Sequence, residues 1–230
     1  MHVSEVSEVR SPRRRLPTLT ACAALALASS GVAAAQASAQ SIGVTGCVVN
    51  TNDQPAQMIV SGTGFAPGDT IELSTTTGGG SGTATSDAGG QFQSAITGPL
   101  LSILGAGEQS FTLTATDDNN GATATTTFEA ANLAVTTNPP EAKVSRKVSY
   151  TFSGFVPGHE IYVHYLHKKK VTATAKFGRA KGACGLLKAR AKLYPGKQRF
   201  SQYTVQFDQT RHYSAKSLPR VVRTLSIQRL

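Results

Sequence analysis

Beyond residue 58 the chain alternates apolar and polar side chains in short runs, with clusters of Gly and Asp between them. Ile71 and Leu73 alternate with Thr70, Glu72 and Ser74, and a period of two buries one face of a strand. The same reading predicts strands over 81–85, 91–96, 111–116 and 122–128, and again over 171–177, 186–193, 203–207 and 221–227. Short strands at this spacing, bounded by turn residues, point to a β-sandwich.

A self-similar segment organises these strands. Gly64-Phe65-Ala66-Pro67-Gly68 and Gly154-Phe155-Val156-Pro157-Gly158 share the pattern G-F-x-P-G-x-x-I-x-(L/V), ninety residues apart. Proline sets φ at the first turn position and glycine accepts the positive φ that follows, so each copy predicts strand, tight turn, strand. About 100 residues is the size of one seven-stranded sandwich. The chain is therefore expected to hold two tandem antiparallel β-sandwich domains, 40–136 and 143–230. Residues 137–142, which include Thr137-Asn138-Pro139-Pro140-Glu141 and lack alternation, are expected to form the linker.

Ahead of them, Arg13, Arg14 and Arg15 precede an Ala- and Leu-rich run over 19–35, and small residues follow at Ala35, Ala37 and Ala39. Those are the three parts of a secretory signal peptide, so residues 1–39 are expected to be cleaved on export and the protein to be secreted. The run is too short and too rich in Ala for a membrane span. Arg14-Arg15 also resembles a twin-arginine signal, although Pro17 stands where that pattern prefers an apolar residue, and both export routes stay open. Leu19-Thr20-Ala21-Cys22 resembles a lipobox, but most of the apolar run follows Cys22 instead of preceding it, which makes a chance match the better reading.

Composition agrees with strands: 40% of residues are hydrophobic and Trp is absent. Charge adds a division. Residues 40–138 hold eight acids and no Lys or Arg, whereas 139–230 hold nineteen Lys and Arg against Glu141, Glu160 and Asp208. Such asymmetry speaks to partners more than to fold.

Gly62-Thr63-Gly64-Phe65-Ala66-Pro67-Gly68 resembles the G-x-G-F-x-P-G turn of secreted bacterial immunoglobulin-like repeats, among them the IPT/TIG-like modules. The second copy departs at Phe152, where the first Gly of that pattern would stand. The resemblance implies immunoglobulin-like sandwiches and an extracellular or cell-surface location, and it implies no activity.

Cys47 and Cys184 fall in different domains, so no bridge within a domain can form. A bridge between domains is open in an oxidising compartment, against separate thiols or pairing between molecules. In an end-to-end tandem Cys47 would lie at the end far from the second domain, beyond the roughly 7 Å Cα reach of a disulfide; a bridge would require the domains side by side. Gly182-Ala183-Cys184-Gly185 lacks the Ser-x-Gly-Cys-x-Arg context of L,D-transpeptidases, and no enzymatic activity is expected. His159, His164, His167 and His212 are read as surface or turn residues, since His164 and His167 fall on opposite faces of a strand. Asp117-Asp118-Asn119-Asn120-Gly121 suits a plain hairpin turn at least as well as a calcium loop. No metal or cofactor is expected.

The basic half carries the candidate contact residues. Lys188, Arg190 and Lys192 alternate with Ala189, Ala191 and Leu193, which places three cations in one solvent-facing row. Lys168, Lys169 and Lys170 sit at an expected hairpin. An anionic envelope polymer or other polyanion would answer this charge; the competing answers are the acidic domain, in this chain or another copy, and plain solvent. Nucleic acid is not expected, because no nucleic-acid-binding motif is present and export removes the chain from the genome. A non-catalytic binding or adhesion module is the leading reading, with a passive spacer whose two domains dock on each other as the alternative and a cysteine-dependent enzyme as the remotest.

Overall fold

Residues 39–51, 54–143, 146–196 and 200–228 are described by the computed structural model of the chain; the signal-peptide and Cys22 readings lie outside them. The first half contains β1 (Ser41–Val44), β2 (Val48–Asn50), β3 (Gln57–Thr63), β4 (Thr70–Thr75), β5 (Ser81–Thr85), β6 (Phe92–Thr97), β7 (Glu108–Asp117) and β8 (Thr123–Asn132). The second contains β9 (Ala134–Asn138), β10 (Lys147–Ser153), β11 (Glu160–His167), β12 (Lys170–Arg179), β13 (Leu187–Lys192), β14 (Ser201–Asp208) and β15 (Val221–Ile227). The described chain is all-β.

Strand order repeats between the halves. The first pairs β1-β3-β6 in one sheet and β2-β8-β7-β4-β5 in the other; the second pairs β9-β10-β13 and β12-β11-β14-β15. With β1 and β2 counted as one interrupted first strand, both halves place strands one, two and five in one sheet and four, three, six and seven in the other. That is the layout of an immunoglobulin-like sandwich. Among the described residues the one parallel pairing is β2 on β8. Alternation does the packing: along β3, Met58 and Val60 are buried while Gln57, Ile59 and Ser61 are exposed. Separate apolar cores result, one around Val60, Ile71, Leu73 and Leu113, the other around Phe152, Phe155, Ile161 and Val163.

The repeated motif makes the same turn twice. Gly68 and Gly158 take φ of 79° and 80° after Pro67 and Pro157, as the third residue of a type II turn requires. The Asp69 and His159 amides donate to the Ala66 and Val156 carbonyls, at 3.4 Å in each copy. Each turn is tied to the following hairpin by equivalent bonds, Gly68 N to Ser86 O in the first and Gly158 N to Ala180 O in the second.

The hand-over between halves differs from the expected linker. Thr137 and Asn138 lie within β9, paired with Tyr150 and Ser149 of β10, and only Leu133 separates β8 from β9. β9 escapes the periodicity test because it is a short edge strand with polar residues at its outer end. The described residues of both halves form one compact unit. At the junction the Leu133 amide donates to the Asn50 carbonyl at 2.8 Å, and the buried Ser153 hydroxyl donates to the Asn132 carbonyl at 2.6 Å while accepting from the Gly107 amide.

Candidate functional site

The three-stranded sheet of the second half has one face on the core and one in solvent. β13 is one of its two edge strands: Leu187, Ala189 and Ala191 pack against the core, and Lys188, Arg190 and Lys192 are exposed. Pairing with β10 sets Lys188 opposite Thr151, Arg190 opposite Ser149, and Lys192 opposite Lys147. Like charges directly across a ladder repel, so Lys147 extends the row at a structural cost. Sequence reading did not single out Lys147, because only the register brings it beside Lys192. Among the described residues the close contacts between a basic side chain and a carboxylate are Lys176 with Glu160 and His164 with Asp208, and neither involves this face.

Lys168 and Lys169 form the two-residue connection between β11 and β12, and Lys170 opens β12 opposite His167. Both turn residues have positive φ, 47° and 65°. The tip lies at the Lys192 end of β13: the Tyr194 hydroxyl, two residues past Lys192, donates to Thr172 Oγ1 at 3.4 Å, and the Tyr194 ring meets Tyr165 of β11 edge-on. Lys176 and Glu160, near the other end of the β11–β12 hairpin, neutralise each other. The Lys176 hydrogen bond, helped by that from Tyr162, holds the Glu160 carboxyl below the usual carboxylate value.

Cys47 and Cys184 form a disulfide, with Cα atoms 5.2 Å apart. The expectation that Cys47 lies at the far end fails for a topological reason. After β1 the chain crosses to the other sheet, and β2 runs parallel to β8, toward the junction. Cys47 stands at that crossing. Cys184 lies in the β12–β13 connection, and its carbonyl accepts from the Gly154 amide next to Leu133. Bonded sulfur offers no nucleophile.

His164 corrects a second expectation: it is fully buried, whereas His159 and His212 are exposed. It lies on the outward face of the four-stranded sheet, beneath the connection from β14 to β15. Its Nε2 lies 3.1 Å from the Thr210 carbonyl, an acceptor only, so Nε2 carries a hydrogen; Nδ1 meets the Thr174 hydroxyl at 3.0 Å. Asp208 sits 3.4 Å from Nε2 and gathers donors from Ser217 (2.6 Å), Gln206 (2.6 Å) and both the amide and hydroxyl of Thr210 (2.8 Å each). Burial pushes the Asp208 carboxyl up, but those hydrogen bonds together outweigh it and hold the group below the usual carboxylate value. The cluster ties the 209–220 connection to the sheet. Periodicity cannot reveal it, since each residue alone reads as an outward polar position.

Asp117 has the equivalent place at the end of β7. Its carboxylate accepts from the Asn119 amide and the Asn120 side chain, a turn-forming arrangement. Among the described residues no group of three or more His, Cys, Asp or Glu could hold a metal ion.

No protein-family model matches the chain, and no curated protein matches it significantly. Solved structures give weak similarities. A tetra-tandem repeat from the extending region of a large adhesion protein is 19% identical, with 81% of this chain and 48% of that one covered, at a TM-score of 0.30. The Ca2+-stabilised adhesin with which an Antarctic bacterium binds ice is 17% identical, with 82% and 47% covered, at 0.31. The ligand-binding domain of human OSCAR is 11% identical, with 82% and 97% covered, at 0.33. The chain thus spans about half the length of the two adhesin structures, and similarity at these TM-scores carries no inference about its activity.

Proposed function

We propose that this is a secreted, non-catalytic immunoglobulin-like module of the cell surface, whose second sandwich contacts an anionic envelope polymer or other polyanion. The observation that carries the reading is the register of β10 and β13, which collects Lys147, Lys188, Arg190 and Lys192 on one solvent-facing sheet surface with no described carboxylate paired to them. Gathered cations of one sign attract polyanions and gain by releasing their counterions. A disulfide between the halves suits an oxidising, extracytoplasmic compartment. The contacts at the junction include backbone and hydroxyl hydrogen bonds and the disulfide, and neither described contact between a basic side chain and a carboxylate joins the two halves.

The test is binding of the full mature chain to purified anionic cell-wall polymer across a salt series. Binding is expected at low ionic strength and should fall steeply as salt rises. Charge reversal of Lys188, Arg190 and Lys192 to Glu should abolish it while the melting temperature stays within a few degrees. Absence of binding at low salt overturns the proposal.

A further inference from the structure

The hairpin tip carries a conflict that the basic sheet face alone does not explain. A two-residue connection with positive φ at both positions is the type I′ geometry, which favours Asn and Gly because a Cβ is strained there. This chain instead uses Lys168 and Lys169, with φ of 47° and 65°, two adjacent lysines at the positions least suited to them. The β11 and β12 strands on either side already pair through their ladder and need no lysine at the tip. What the two residues add to the fold is positive charge at a fixed place, beside the end of β13 where Lys192 faces Lys147.

We infer that the tip is the far end of a linear track, and that the ligand is an extended polymer bearing one anion every 7 Å or so, such as a phosphodiester chain, lying along β13 from Lys188 toward the tip. This rests on the polyanion reading above and specifies it. The strand fixes the spacing: Lys188, Arg190 and Lys192 are two residues apart, about 6.6–6.8 Å per step. Lys192 is the last cation of the row before Lys168 and Lys169, and Lys147, on β10, stands beside it on the side away from the β11–β12 hairpin. A compact anion would engage one or two of these groups, whereas an extended chain meets them in succession.

The test uses the full mature chain, poly(glycerol phosphate) oligomers of defined length, and the variant Lys168→Asn with Lys169→Gly. The substitutions supply the residues the turn prefers, so the melting temperature should hold or rise. Affinity for the long oligomer should fall several-fold, and the slope of log affinity against log salt should drop by roughly one to two. With the wild-type chain, affinity should climb from two-phosphate oligomers to those of about six and then level off. A variant that melts lower overturns the argument from the turn. A variant that binds the long oligomer like wild type, or affinity independent of oligomer length, overturns the track while leaving polyanion binding intact; loss of all binding by the wild-type chain removes the underlying reading as well. Vesicles of phosphatidylglycerol form a parallel arm, and preference for them over the oligomer overturns the assignment to a polymer.

Discussion

The two sandwiches share a strand order and a turn yet fill their interiors differently. In the first, aliphatic side chains dominate, and its four phenylalanines meet only in pairs, Phe65 with Phe92 and Phe111 with Phe128. In the second, Tyr150, Phe152, Phe177 and Phe207 each approach the other three, with ring centroids 4.7–6.2 Å apart. All six tyrosines of the protein lie in this half. Topology here follows alternation and the Pro-Gly turn, and it accepts either kind of filling. Neither half has an internal disulfide or a Trp, so packing alone holds each core.

That contrast is open to three measurements. The largest effect is expected from Phe152→Ala, which removes a fully buried ring with three mutual partners plus Phe155. It should destabilise the second sandwich by about 3–5 kcal/mol. Phe111→Ala, with one ring partner, should cost its own sandwich less, since each aromatic pair adds about 0.5–1.5 kcal/mol beyond burial. Calorimetry that finds equal losses would show that the ring cluster adds nothing.

Alkali should then separate the halves. Burial raises the Tyr150 hydroxyl from its ordinary value to about 12, and the Tyr165 hydroxyl is pushed up further by its own burial. The unfolded chain ionises these groups near pH 10 while the folded chain keeps them neutral, so stability is complete below pH 10 and declines as pH rises toward 12. The loss for Tyr150 alone is about 2–3 kcal/mol. Tyrosinate absorbance should rise together with unfolding of the second half while the first, which has no tyrosine, stays folded.

The smallest effect concerns Asp208. Its carboxyl is held below its ordinary value, so the stability it contributes is present above about pH 4 and is lost as pH falls through the folded value. Asp208→Asn should cost about 1–3 kcal/mol, the worth of hydrogen bonds to a charged acceptor. It should also flatten the acid limb of the stability curve and speed proteolysis within 209–220. An unchanged acid limb would move the acid sensitivity elsewhere.

What could be read from the sequence divides along physical lines. Strands with one buried face announce themselves by alternation, and the two turns by Pro67-Gly68 and Pro157-Gly158, because those signals are local. The row at Lys188, Arg190 and Lys192 is local too, and its exposure follows from period two. Lys147 beside Lys192 depends on register between strands, and the burial of His164 and Asp208 on a connection folding back over the sheet. The pairing of Cys47 with Cys184 required knowing that the first strand changes sheets between Val44 and Val48, and nothing in the periodicity of so short a strand marks that crossing. The outer end of β9, Thr137 and Asn138, reads as linker because it is polar and borders Pro139-Pro140.

The disulfide has a mechanical consequence. When the chain is pulled from its two ends, tension passes from Cys47 directly to Cys184 and skips the 137 positions of sequence separation between them. β2 through β12 lie inside that shunt, so most of the first sandwich and half of the second cannot be drawn out while the bond holds. Only β1 and the strands from β13 onward remain in the line of force.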